Sequence, residues 1–356
     1  MDKTALDTLL EAASLAPSGD NTQPWRFTVN RADWTIAIEV DPERDPSPMN
    51  VGQRMADIAV GAAVENMIQT AEGNGWEYQL SQPSKGSSTH FRLSPTSNSG
   101  QVNPLLLLRA TNRRVYRGGE ITAELRQKLE SSTTELDGVR AHWILDNERL
   151  LKLSGVVSRA DAVILGTKAI RNAFLKSIRF DKANTDVVDE GLSLGSLEAG
   201  WGERKMLRAM RAMPDSLFYC LGGRLALGRV SRQLMLSASG VCVVSVPELS
   251  SIASWRSGRV WQRAWLALTE HGMVAQPMMS LLILQNLVAF GTLKTLSARD
   301  QRLASELLQN FRRLLTSELN SALPCTLMRI GYADQPTGRV GRMPIAKMTA
   351  DTMSVE

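Results

Sequence analysis

Apolar and polar positions along this chain follow two alternating periods. Leu6, Leu9, Leu10, Ala13 and Leu15 recur as one face of a helix does, and Pro17 and Gly19 end it. Phe27 and Val29 then alternate with Thr28 and Asn30, the period of a half-buried strand. Residues 16–27 are therefore expected to form a tight helix-to-strand corner. It offers a hydroxyl (Ser18), a bare backbone (Gly19) and two amides (Asn21 and Gln23), each both donor and acceptor. Residues 26–40 read as two strands joined at 30–33, and 41–50 as a Pro-rich loop. Residues 51–71 read as a long helix ended by Gly73-Asn74-Gly75. Its Gly61, Ala62 and Ala63 leave room for a second helix to approach closely. Residues 76–80 and 89–93 read as a hairpin, and the turn-rich stretch 94–100 places a join near Pro104.

Past that join, Thr122 is a plausible N-cap for a helix running to about residue 136. A strand at 139–145 and a helix at 147–173 follow. Residues 178–202 are polar and Gly-dotted, 203–213 form a basic helix, and 217–239 are rich in Gly and Arg. The whole of 178–239 reads as an excursion from the core, a candidate lid. Residues 240–246 are a continuous apolar strand of the kind covered on both faces. Helices at 258–271, 277–293 and 298–319 precede a last strand at 326–332. Each half runs helix, strand or strands, long helix ended by glycine, strand, without a strong residue-level repeat.

Composition narrows the class. A chain of 356 residues holds one large core or two domains, and 43% apolar residues is ordinary for a soluble globular protein. The net charge of +5 reads as cations spread along the chain with no dense block, so no nucleic-acid partner is expected. Three cysteines and three histidines are scattered, so no metal site and no disulfide framework is expected, and a reducing, cytoplasmic compartment is. Residues 1–4 lack the pattern of a signal peptide. The apolar run 277–293 is short and broken by Gln285 and Asn286, so no membrane span is expected, nor a membrane partner. No Ser-His-Asp set or paired carboxylates mark a catalytic side chain.

The string from Ala16 to Phe27 resembles the APSxxNxQPWxF signature of the nitroreductase-like flavoproteins. In that superfamily this corner lies against bound FMN, usually from the second subunit of a dimer, which implies contacts from Pro17, Ser18, Gly19, Asn21 and Gln23. Arg109, Thr111 and Arg113 occupy alternate positions, which share a side of an extended backbone. They resemble the family's RxSxR/K opening, which implies FMN contacts, chiefly with the phosphate. Arg342-Met343-Pro344 resembles the RxP ending that closes the phosphate pocket. Val340 stands where the family often has a further cation, so Arg339 would take that part. Residues 271–280 resemble a GLxxxPIxGF element whose backbone amides lie beside the flavin, which implies Gln276, Pro277, Met279 and Ser280. The family's Glu and Gly are replaced here by Met279 and Ser280, a change that a backbone contact survives.

The order of motifs, corner first, resembles the Acg-type subgroup, a single chain that imitates the nitroreductase dimer. Arg54, Gly61-Ala62-Ala63 and Asn66 resemble that subgroup's helix. The resemblance implies an α+β nitroreductase-like fold of two half-domains, 1–104 and 105–356, with a helical lid insertion at 178–239 and one FMN site. It implies an oxidoreductase taking electrons from NAD(P)H and passing them to a small-molecule acceptor, nitroaromatic or quinone-like, with the flavin carrying the chemistry. The alternative is an FMN-binding or storage protein with a covered flavin and little turnover. Arg204, Lys205, Arg208 and Arg211 would meet nucleotide phosphates or form a solvated helix face. Such a pseudo-dimer stands as a monomer or pairs again as a homodimer.

Overall fold

The computed structural model describes residues 4–83, 88–181 and 187–351. Residues 1–3 of the N-terminal segment and 182–186 of the expected excursion lie outside the described residues.

Helix α1 (Ala5–Ser14) starts at Thr4, whose hydroxyl accepts from the Asp7 amide while the Asp7 carboxylate accepts from the Thr4 amide. A short 3-10 turn, Gly19–Asn21, leads into β1 (Trp25–Asn30) and β2 (Thr35–Val40). Helix α2 (Arg54–Gly73) and the strands β3 (Tyr78–Ser81) and β4 (Thr89–Leu93) follow. Then come α3 (Pro104–Leu108), α4 (Ala123–Ser132), β5 (Arg140–Ile144), α5 (Asn147–Gly166) and α6 (Lys168–Ser177). A short parallel pair, β6 (Ile178–Arg179) and β7 (Leu192–Ser193), precedes α7 (Trp201–Ala212), α8 (Asp215–Cys220) and α9 (Gly223–Leu236). The chain closes with β8 (Gly240–Val246), α10 (Ser251–Glu270), β9 (Val274–Pro277), α11 (Ser280–Ala289), α12 (Ala298–Leu314), α13 (Thr316–Leu319), β10 (Leu323–Gly331) and β11 (Thr349–Asp351).

The class is α+β, with two main sheets. The first has the order β11-β1-β2-β4-β3 and the second β5-β8-β10-β9. All pairings in the two are antiparallel except β1 with β11. That exception brings the C-terminal tail back onto the N-terminal sheet. All seven residues of β8 are buried, as its unbroken apolar run requires.

Helices α2 and α10 join the two sheets by crossing at glycines. A Cβ added at Gly61 would stand 1.9 Å from the Trp255 carbonyl oxygen, and one at Gly258 would stand 2.0 Å from that of Ile58. Beside this contact, the fully buried Glu65 on α2 meets Arg259 (3.1 Å) and Arg263 (2.9 Å) on α10. Burial alone would raise the Glu65 pKa, but the two guanidiniums hold it below its ordinary value. Gln262 donates to Asn66 (2.7 Å), which donates to the Ala12 carbonyl (2.9 Å), so α1 is tied to the same crossing.

Several expected boundaries move. The helix expected at 258–271 starts at Ser251, capped by the Ser250 hydroxyl. The helix expected from 277 begins at Ser280, because 274–277 pair with β10 as a strand. The helix expected over 147–173 breaks at Thr167, and that expected over 298–319 divides at Leu315. Within the Gly- and Arg-rich stretch, α9 packs directly on α5, with Gly228 against the Ser158 backbone.

Replacing Gly258 by Ala should lower the unfolding free energy by at least about 1–3 kcal/mol, since the new methyl meets backbone that cannot yield. Gly155→Ala, mid-helix with open space around it, should raise it by about 0.5–1 kcal/mol. Urea denaturation of the two variants beside wild type reads both.

Candidate functional site

A cavity of about 550 Å³ opens between the corner after α1, the first turns of α2, residues 106–113, the β9–α11 connection and the tail at 338–342. Its size is that of a small-molecule or cofactor site. Pro17, Ser18, Gly19, Asn21, Arg109, Thr111, Arg113, Gln276, Pro277, Met279, Arg339 and Arg342 all line it. Gln23 and Ser280 lie behind the wall.

The corner holds its shape through left-handed backbone at three non-glycine residues, Asp20, Asn21 and Gln23. The Ser18 hydroxyl accepts from the Gln23 amide at 3.0 Å. Gln23 is fully buried, donating to the Asp189 carbonyl (2.6 Å) and accepting from the Met343 amide (3.0 Å). Asn21 donates to the Asp189 and Gly341 carbonyls and accepts from Arg342 (2.9 Å). Both side-chain amides expected at a ring edge are thus spent on holding the tail and residues 187–198 to the corner.

Residues 109–113 run extended beside β9, with Thr111 bridged to Ala275 and the Asn112 amide donating to the Ala275 carbonyl. This puts Arg109, Thr111 and Arg113 on the cavity. Arg109 is buried, donates to the Leu15 carbonyl (2.9 Å), and lies 4.7 Å from the Trp265 ring centroid. Its buried Nε has no hydrogen-bond partner. Arg342 uses all five donors on the carbonyls of Ser14, Leu15, Ala16 and Gly341 and on Asn21. It therefore supplies charge and holds the corner, with no donor left for a ligand. Arg339 is exposed and reaches the Leu107 and Leu108 carbonyls at the end of α3. None of the three has a carboxylate partner among the described residues. Burial, then Arg342 and Arg339, pushes Arg109 down to about 9, and burial pushes Arg342 down to about 10.

A second charged group lines the same cavity. Asp20 and Asp45 are pushed up to about 6, chiefly by burial, and Asp20 raises Asp45 further. Arg113 opposes the shift at Asp20 and donates to the Ser196 carbonyl (2.8 Å). On the β9–α11 side, the carbonyl of Met279 accepts from the Leu282 (3.0 Å) and Ile283 (2.9 Å) amides at the start of α11, so in that first turn the Ser280 and Leu281 amides are the ones without an intrahelical acceptor. The Ser280 hydroxyl donates to the buried Asp161 carboxylate.

Sequence reasoning missed the acidic pair and Arg329. Asp20 and Asp45 meet only because the corner folds back on the Pro-rich loop. Residues 187–198, part of the stretch read as a candidate lid, place Leu192 and Ser196 in the cavity lining. Arg329, fully buried in β10, donates to Gln276 (2.7 Å) and to the Arg114 carbonyl (2.7 Å), fixing two walls at once. An arginine inside an otherwise apolar strand was the available signal.

Asp20 and Asp45 also set a pH dependence. With folded pKa values near 6 against an ordinary 3.8, the folded chain binds protons that the unfolded chain has released. Their contribution to stability is therefore present below about pH 4 and is lost as pH rises through about 6. Asp45→Asn should raise the unfolding free energy at pH 7 by about 1–2 kcal/mol and leave it unchanged near pH 4. Urea midpoints across that range check the sign.

No family model matches the chain. Among curated proteins it is similar to the Uncharacterized protein MT1398 of Mycobacterium tuberculosis (strain CDC 1551 / Oshkosh), at 26% identity over 281 residues. That alignment covers 76% of this chain and 38% of the relative, so the chain spans about two fifths of the length of the curated protein it matches. Among solved structures, it is similar to the FMN-dependent nitroreductase NfnB from Mycobacterium smegmatis in complex with NADPH. Identity is 16%, coverage 70% of this chain and 96% of that one, and the TM-score 0.37. The FMN and NADPH-dependent nitroreductase NfnB from sphigopyxis sp. strain HMH gives 16% identity, 70% and 98% coverage, and a TM-score of 0.39. At these TM-scores neither likeness bears on the reading below.

Proposed function

We propose that this chain is an FMN-binding oxidoreductase of the nitroreductase-like kind, with a single site shared by two related halves, 1–104 and 105–356. One observation carries the reading. The corner and a buried arginine with an unpartnered Nε meet on one cavity, where Arg109, Arg339 and Arg342 gather with no carboxylate paired to any of them among the described residues. A phosphate monoester offers acceptors to these guanidiniums and relieves the repulsion that Arg339 and Arg342 exert on Arg109.

In this reading Arg109 and Arg339 hold the phosphate, and Arg342 adds field from behind. Thr111, Ser18 and the Pro17–Gly19 backbone line the ribityl chain, and Arg113 with Gln276 faces the polar ring edge. Pro277, Met279 and the amides at the start of α11 take the remaining face. Asn21, within the lining, and Gln23 and Ser280, outside it, position these groups. Bound there, FMN supplies hydride transfer between NAD(P)H and a small-molecule acceptor of the nitroaromatic or quinone class.

A second reading, FMN binding or storage with little turnover, is favoured by residues 187–198. They are anchored to Gln23 and Asn21 through the Asp189 carbonyl, to the tail through Gly341, and to Arg113 through Ser196. So secured, this segment gives Leu192 and Ser196 to the cavity lining.

Arg109→Ala should weaken FMN binding by about 1.5–3 kcal/mol, read by fluorescence titration of the apoprotein; unchanged affinity removes Arg109 from the site. Asn21→Ala, in the other half, should speed FMN loss, and normal retention would defeat the shared-site reading. Anaerobic NADPH added to FMN-loaded protein separates the two functions. Rapid bleaching of the flavin absorption marks the oxidoreductase, and a lasting yellow colour marks the storage protein.

A further inference from the structure

The chain's net charge resides in one segment. Of its 41 Lys and Arg and 36 Asp and Glu, residues 201–236 hold seven and two, so the rest is balanced at 34 of each sign. This corrects the expectation of evenly spread cations. Among the described residues only one of the seven, Arg224, forms an ion pair, with Asp300. Six cations on α7 and α9 have no acidic partner there.

The same segment exposes apolar side chains that a solvated helix face does not need. Trp201 is 74% exposed, Leu221 and Leu225 67% each. On α9, Leu225, Arg229, Arg232 and Leu236 are exposed and fall at helical spacing, so leucines and arginines share one stripe. On α7, Trp201 and Lys205 stack with the ammonium 3.8 Å from the ring, and Arg208 continues that line. The buried faces of both helices are used elsewhere, α7 through Leu207 and Met210 and α9 through Gly228, Ser231 and Met235.

We propose that the face made by α7 to α9 docks the protein on the surface of an anionic phospholipid bilayer. Unpaired cations suit the headgroups, and the interleaved tryptophan and leucines suit the boundary with the acyl chains. A second copy of the chain would oppose like charges across this face. A nucleic acid would satisfy the arginines but leave the leucines without a base or a pocket. No helix among the described residues is long and apolar enough to cross a membrane, so the contact is peripheral. It stands independently of the flavin reading.

Co-sedimentation of the full chain with vesicles tests it. One set is phosphatidylcholine alone and the other contains about 30 mol % phosphatidylserine. Wild type should sediment with the second set only, and less so as salt rises. Arg229→Glu with Arg232→Glu should lower partitioning at least about tenfold. Leu221→Ser with Leu225→Ser should lower it several-fold while leaving the salt dependence. These side chains are exposed, and circular dichroism melts confirm that the variants fold. Equal binding to both vesicle types, or no loss in either double variant, overturns the proposal. So does retention on duplex DNA with no vesicle binding, or a dimer abolished by the leucine substitutions.

Discussion

The close crossing of α2 and α10 is the constraint on which the remaining geometry depends. Two glycines let backbone meet backbone, and the space left beside them is filled by Glu65 between Arg259 and Arg263. A carboxylate taken fully out of water is tolerated only when such partners surround it. The crossing therefore combines a steric limit with an electrostatic one, and both fix the same register. Met55, Ile58 and Ala59 of α2 and Trp261 of α10 line the cavity within a few turns of the contact. Any slippage of one helix on the other would shift two walls of the site together.

The cationic wall arises from a second constraint, the buried C-terminal end of α1. The last carbonyls of a helix lack internal partners and carry the negative end of its dipole. Those of Ser14, Leu15 and Ala16 draw Arg342 from the tail and Arg109 from the other half. Their burial without carboxylates depresses both guanidiniums. The tail in turn is held by the Gln23–Met343 bond, by the Trp25 indole donating to the Met348 sulfur, and by the β1–β11 pairing. Residues more than 300 positions apart thus form one corner.

Signals confined to a few neighbouring residues were legible in the sequence. Pro17 and Gly19 marked the corner, Thr122 capped α4 through its hydroxyl, and the small residues of α2 announced the crossing. Residues 109, 111 and 113, which alternation puts on one side of an extended backbone, all line the cavity. What long-range pairing decides was not legible. Strand β9 spans only four residues and owes its extension to β10. In α9, glycine looked like a loop former, whereas Gly228 serves close packing on α5. The amides of Asn21 and Gln23 read as ligand groups because composition does not reveal which partners a side chain already has.

Charge in the cavity is sorted rather than averaged. Burial and the Arg342 and Arg339 charges lower Arg109, while burial raises Asp20 and Asp45, with Asp20 adding to the shift at Asp45 and Arg113 opposing that at Asp20. The cavity lining thus carries a cationic set, Arg109, Arg339 and Arg342, and an acidic pair, Asp20 and Asp45. A simple anion would satisfy the cationic set and leave the two carboxylates unmatched. A ligand with an anionic group at one end and N–H donors at the other matches both. Phosphate at one end and the imide edge of a ring at the other give FMN that polarity. The left-handed corner and the depressed arginines are costs to the folded chain at a place where such a ligand would offset them.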